Sequence, residues 1–171
     1  MKIIVEQLSE GYIHACSLEN IESLIQKIPE EDFKGLAFIV FHQPAHKEEI
    51  SHPRWAAYIP NYKRRGSIEG SAILLEAISP SKSLRWSNSL DPDDQRELER
   101  LEKEGHQITR GKKEITISMD ASSIRKTQLR SFLHELGHHV DRNSNPKLFD
   151  QKTKAEKEHF AHRYAERFQG A

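Results

Sequence analysis

Apolar positions follow helical spacing in some stretches of the chain and strand alternation in others. After Ser17, Leu18, Ile21, Leu24, Ile25 and Ile28 recur at helical spacing until Pro29, which predicts a helix over about 17–28. After Gly35 the continuous apolar run Leu36-Ala37-Phe38-Ile39-Val40-Phe41 is too short for an ordinary helix and reads as a strand buried on both faces. Arg54-Trp55-Ala56-Ala57-Tyr58-Ile59, stopped by Pro60, reads as a second strand, and Ala72–Ile78 as a third. The loop Asn61–Gly66 between them carries Lys63-Arg64-Arg65, three charges that mark a turn. Ser79–Asn88 has no period and reads as irregular. Asp91-Pro92 opens a highly charged helix to about Glu104, whose sparse apolar positions predict a solvent-exposed excursion.

Ile115-Thr116-Ile117-Ser118-Met119 alternates and is a fourth strand. A helix follows over about 125–142, closed by Asn143-Ser144-Asn145-Pro146. The last helix starts at the capping box Thr153-Lys154-Ala155-Glu156 and runs to about Phe168. This order predicts an α+β fold in which the last two helices pack on one side of a small mixed sheet of about four strands.

Composition narrows the function classes. The chain has 171 residues, a length that suits one domain (1–171), with a sheet-rich part over 1–126. Its 26 Lys+Arg balance 26 Asp+Glu, which argues against nucleic acid as the main partner, because that affinity comes from clustered cations. The longest apolar runs are far too short to span a membrane. Met1-Lys2-Ile3-Ile4-Val5-Glu6 lacks the pattern of a signal peptide, so a cytoplasmic protein is expected. The single cysteine, Cys16, excludes an intramolecular disulfide and reads as a packed small residue.

Ten histidines are the unusual count, and their placement carries the chemistry. Within Phe132-Leu133-His134-Glu135-Leu136-Gly137-His138-His139-Val140-Asp141 lies HExxH. On a helix, positions four apart differ by about 40° around the axis, so His134 and His138 can bind one ion together. Glu135 lies about 100° round from His134, near the ion without ligating it. Leu129, Leu133, Leu136 and Val140 form an apolar stripe, with the imidazoles roughly opposite. A third ligand must come from a neighbouring element. On the final helix Glu158, Ala161, His162 and Ala165 share a face, and the two alanines permit close approach; Phe160, Tyr164 and Phe168 form a separate core face. Glu156 and Asp141 stand as rival ligands to Glu158. Asp141 suits a helix-terminal or supporting role, and His139 points away from the metal face.

With these residues in place, the chain resembles the gluzincins, the HExxH zinc metallopeptidases with a glutamate third ligand, and among them the minigluzincins and ImmA/IrrE-type peptidases. The matching strings are His134-Glu135-Leu136-Gly137-His138 and, twenty residues on, Glu158-His159-Phe160-Ala161-His162-Arg163-Tyr164-Ala165. The likeness covers about 127–168. Lys157 stands where many relatives have Asn, and His162 where Asp or Asn is usual. The longer metzincin signature is excluded by Asp141 and Ser144.

The resemblance implies a zincin-like fold and one zinc ion per chain between the 127–168 helix pair, held by His134, His138 and Glu158. It implies an endopeptidase with Glu135 as general base on a protein or peptide substrate, and His162 orienting His134. Two histidines and one carboxylate leave a coordination position for water, the mark of a catalytic site. Two rivals remain: a catalytically silent zincin-like module that binds peptides, and a nucleic-acid-associated protein with an incidental zinc. The intact Glu135 argues against the first. His42, His46 and His52 show no ligand spacing and read as a solvated loop. Candidates for stabilising an oxyanion are His159, Tyr58, Tyr62 and His106, with Tyr164 given to the core. The strand bordering the cleft is either 54–59 or 72–78.

Overall fold

Alternation within the apolar run after Gly35 divides it between two clusters. Leu36, Ile39 and Phe41 pack with Phe132, Leu133 and Leu136, whereas Phe38 and Val40 pack with Ala72 and Leu74. The computed structural model describes residues 1–45, 54–64 and 66–169. His46, His52 and Arg65 therefore lie outside the described residues.

The run forms β2 (Leu36–His42) in a four-stranded mixed sheet with β1 (Lys2–Val5), β3 (Ala56–Arg64) and β4 (Ser67–Glu76), in the order β1-β2-β4-β3. β1 and β4 run parallel to β2, and β3 is antiparallel to β4. A second, antiparallel sheet has the order β5-β7-β6, from β5 (Leu84–Ser87), β6 (Gln107–Arg110) and β7 (Glu114–Ser118). Among the described residues five α-helices accompany them: α1 (Leu18–Ile25), α2 (Pro92–Glu104), α3 (Ala121–Ser144), α4 (Pro146–Gln151) and α5 (Lys154–Phe168). The result is a mixed α+β domain. Among the described residues no helix is long and apolar enough to cross a membrane.

Several elements depart from the sequence reading. β3 runs through Pro60 rather than stopping there, because β3 is an edge strand and its pairing shifts register between Ile59 and Tyr62. An edge position with a bulge leaves the missing N–H of proline without a ladder partner to lose. β1, β5 and β6 are four residues each, too short for periodicity to reveal, and β5 lies inside the stretch read as irregular. α1 ends at Ile25 and tightens into i→i−3 bonds from Lys27 to Leu24 and from Ile28 to Ile25.

α2 is not a solvent-exposed excursion. Leu98 and Leu101 are wholly buried against Ile115 and Ile117 of β7. Two apolar side chains one turn apart suffice to dock a charged helix when its acids find partners. Arg130 of α3 supplies them. Its Nε donates to Glu104 Oε1 at 2.5 Å and its Nη2 to Glu97 Oε1 at 2.6 Å. Glu104 also accepts from Thr127 Oγ1 at 2.5 Å, and Thr127 Oγ1 lies 2.8 Å from His106 Nε2.

α3 is wired to its surroundings by buried polar groups. Asp120 caps its start by accepting from the N–H groups of Ser122 and Ser123. Gln128 donates to Glu76 O at 2.5 Å and accepts from Cys16 N at 3.2 Å. Cys16 itself is buried, its thiol pushed up to about 12 by desolvation, which makes it an inert packing residue.

Arg130→Ala should leave two carboxylates facing each other at the α2–α3 contact and cost about 3–5 kcal/mol in chemical denaturation; a loss within experimental error would show that α2 is held by Leu98 and Leu101 alone. Burial also holds the His106 imidazole below the ordinary histidine range. The folded ring then stays neutral where the unfolded chain takes up a proton, so its contribution is full above about pH 6.5 and is lost as pH falls below it. The stability advantage of wild type over His106→Gln should therefore shrink between about pH 7.5 and about pH 5. An advantage that grows on acidification would reverse the assignment.

Candidate metal centre

α3 presents His134 and His138 one turn apart on the same face. Their rings meet edge to face with centroids 4.7 Å apart, and the two Nε2 atoms are 3.1 Å apart. The third group comes from α5. Thr153 and Glu156 close a capping box at its start, which fixes where the helix begins and puts Glu158 in its second turn. Glu158 Oε2 lies 3.2 Å from His134 Nε2, and Oε1 lies 3.7 Å from His138 Nε2. One ligand atom from each of His134, His138 and Glu158 falls within 4.8 Å of the others.

The rival acids are committed elsewhere. Glu156 accepts from Thr153 N and Thr153 Oγ1, each at 2.7 Å. Asp141 is buried and ion-paired with Lys152 at the end of α4, which ties the far end of α3 to the connection leading into α5. It lies one turn beyond His138, and its other oxygen has no hydrogen-bond partner among the described residues.

Electrostatics show what the cluster is arranged to hold. Hydrogen bonds from His134 and His138 keep the Glu158 carboxyl well below the usual carboxylate range. Burial works against a charged His138, yet the Glu158 hydrogen bond and the Glu135 and Glu158 charges raise its pKa on balance. Two imidazoles and a carboxylate this close together form a group that could hold a metal ion. Their donor set of two imidazole nitrogens and one carboxylate oxygen fits a divalent transition metal.

Glu135 stands apart from this set. Its Oε2 accepts from the backbone N–H of Tyr58 in β3 at 2.8 Å. Burial raises its carboxyl pKa, partly offset by His134 and His138. β3 is therefore the strand at the site. β4, the other candidate, is paired on both sides, with β2 and with β3.

His162 lies against His134, ring centroids 4.5 Å apart and tilted by 50°. The buried Nδ1 of His134 has no hydrogen-bond partner among the described residues. Burial, aided by the neighbouring His134, lowers the His162 pKa to about 4, so this ring is neutral near pH 7. A cavity of about 340 Å³ opens beside it between α2, α3 and α5, with His134, His162 and Arg130 on its wall.

Other candidates from the sequence are engaged elsewhere, His159 excepted. Tyr58 points its ring at His139, its hydroxyl 3.4 Å from His139 Nδ1, and His139 is a buried packing residue whose Nε2 lies 3.1 Å from Lys34 O. Tyr62 packs tilted against Phe38, His106 is engaged with Thr127, and the Tyr164 hydroxyl donates to Asp32 at 2.7 Å. His159 is exposed.

Gly137, inside the motif, escaped the sequence reading. A Cβ there would stand 2.9 Å from Ala161 Cα and 3.0 Å from Tyr164 Cβ. A glycine inside a helix costs about 1 kcal/mol relative to alanine, and that cost is the signal of a close packing contact. Gly137→Ala should push α5 off α3, destabilise by about 1–3 kcal/mol, and weaken metal binding by moving Glu158 from the histidines. Isothermal titration with zinc and thermal unfolding measure both; a variant with unchanged metal affinity would uncouple the helix contact from the site.

No family model, no curated protein and no solved structure matches this chain, so the chemistry of the site rests on its own residues.

Proposed function

We propose that this chain is a zinc-dependent endopeptidase of gluzincin type, with His134, His138 and Glu158 as metal ligands and Glu135 as general base. One observation carries the reading. Three donor atoms from two helices converge within 4.8 Å, while Glu135, adjacent in sequence to a ligand, is held off by an edge-strand N–H. No fourth side chain joins the donor group among the described residues, which suits a catalytic rather than a structural site.

Zinc bound there supplies Lewis acidity and lowers the pKa of water to about 7. Glu135 takes a proton from the attacking water and passes it to the leaving amine. The Tyr58 N–H fixes the direction of the Glu135 carboxylate. The edge of β3 suits an extended substrate. Trp55 O accepts from Glu76 N, so Trp55 turns its peptide groups toward β4 and alternation turns those of Ala56 and Tyr58 outward. A peptide added along that edge runs past Glu135.

Carefully prepared protein should carry about one zinc per chain, with affinity falling below about pH 6 as protons compete for the imidazoles. Glu135→Gln should keep the metal and lose at least about 10²–10⁴ of its turnover. Glu158→Gln should lose metal affinity first, with activity partly restored by excess zinc. Metal analysis together with mass-spectrometric mapping of new termini in a treated cell extract reads all three. A protein that takes up no zinc, or a Glu135→Gln variant that still cleaves, overturns the reading.

A further inference from the structure

A cavity of about 580 Å³ opens where the ends of β2 and β4 meet β5. None of His134, Glu135, His138 and Glu158 lines it. Its walls are mainly apolar, with Trp55, Trp86, Leu84, Ile78 and Met119 facing the space. The volume lies within the range of small-molecule sites, and the space opens beyond the carboxyl ends of two parallel strands, where sheet proteins commonly bind ligands.

The walls are held in place. Ala77 N donates to His42 O at 2.7 Å, and Ile78 exchanges two backbone hydrogen bonds with Ile13. Glu76, 3% exposed, accepts from Arg54 Nε at 2.5 Å, and its backbone carbonyl accepts from Gln128. These bonds fix the wall residues relative to one another.

Its charge selects the ligand. Among the described residues, Arg54, Lys82 and Arg85 line the space with one carboxylate, Glu76, which is engaged by Arg54. Lys82 and Arg85 are exposed. Lys82 is anchored at Tyr12, donating to its hydroxyl at 2.9 Å. Arg85 lies 3.6 Å from Glu114 in a pair between two exposed side chains, which binds weakly and leaves the guanidinium able to take a second carboxylate.

We propose that this cavity binds a small amphipathic organic carboxylate, its aromatic or aliphatic body against Trp55, Trp86 and Leu84 and its charge at Lys82 and Arg85. The site is separate from the metal centre and does not depend on the peptidase reading.

The chain has two tryptophans, and both line this cavity, so intrinsic fluorescence reports directly on occupancy. Titrating the whole protein with decanoate should give a saturable change in emission. Decylamine, with the same body and opposite charge, should bind at least about tenfold more weakly, with decanol between them. Lys82→Glu combined with Arg85→Glu, two exposed positions, should reverse the order of decanoate and decylamine at unchanged circular dichroism and Tm. Decanoate should bind equally with and without zinc. No saturable change up to the solubility limit of decanoate overturns the proposal, as does equal affinity for the three probes. An order that survives charge reversal in a folded variant also overturns it, and so does binding that requires zinc.

Discussion

The approach of α5 to α3 at Gly137 and Ala161 is the constraint on which the candidate metal centre depends. His134 and His138 are fixed relative to each other by one turn of helix, a geometry no packing can change. Glu158 has no such bond to them. It reaches 3.2 Å from His134 only because the two backbones come close enough that an added Cβ would meet Ala161 Cα at 2.9 Å. The small side chains set the distance and the apolar face sets the rotation. Tyr164 and Phe168 are buried in the main core, so α5 cannot turn without withdrawing both from it.

Around this contact α3 is anchored by polar bonds as much as by its leucines. Gln128 ties it to β4, His139 to the chain before β2, Asp141 to α4 and Arg130 to α2. Each of these groups carries a desolvation penalty that only its specific partner offsets, so each selects one arrangement of neighbouring elements. The helix that carries the histidines is thus placed from four directions, which limits how far the donor atoms can drift.

Two regions of distinct chemistry result. At the α3–α5 groove, partly exposed imidazoles and a carboxylate make a polar site beside β3, the edge strand of the sheet among the described residues. At the ends of β2 and β4, tryptophans and aliphatic side chains enclose an apolar space with cations at its rim. Trp55 opens the strand whose Tyr58 reaches Glu135, and its ring packs at 5.5 Å on His106, which contacts Thr127 of α3. The two regions are linked through these contacts and share no lining residue.

The sequence alone determined whatever depends on spacing along one element. HExxH placed His134 and His138 on one helical face with Glu135 turned aside, and Thr153 with Glu156 marked the start of the helix that carries Glu158. The apolar run at 36–41 was legible as a strand buried on both faces because its length excludes a helix. Short strands were not legible, since four residues at β1, β5 or β6 are too few for a period to appear. Nor was the docking of α2, because Leu98 and Leu101 look sparse until Arg130 is seen to satisfy Glu97 and Glu104. The capping box that engages Glu156 was legible too, but between Glu158 and Asp141 only the tertiary structure could choose, since it brings Glu158 to the histidines and gives Asp141 to Lys152. That choice is set by contacts between elements distant in sequence, and no local pattern encodes their distances.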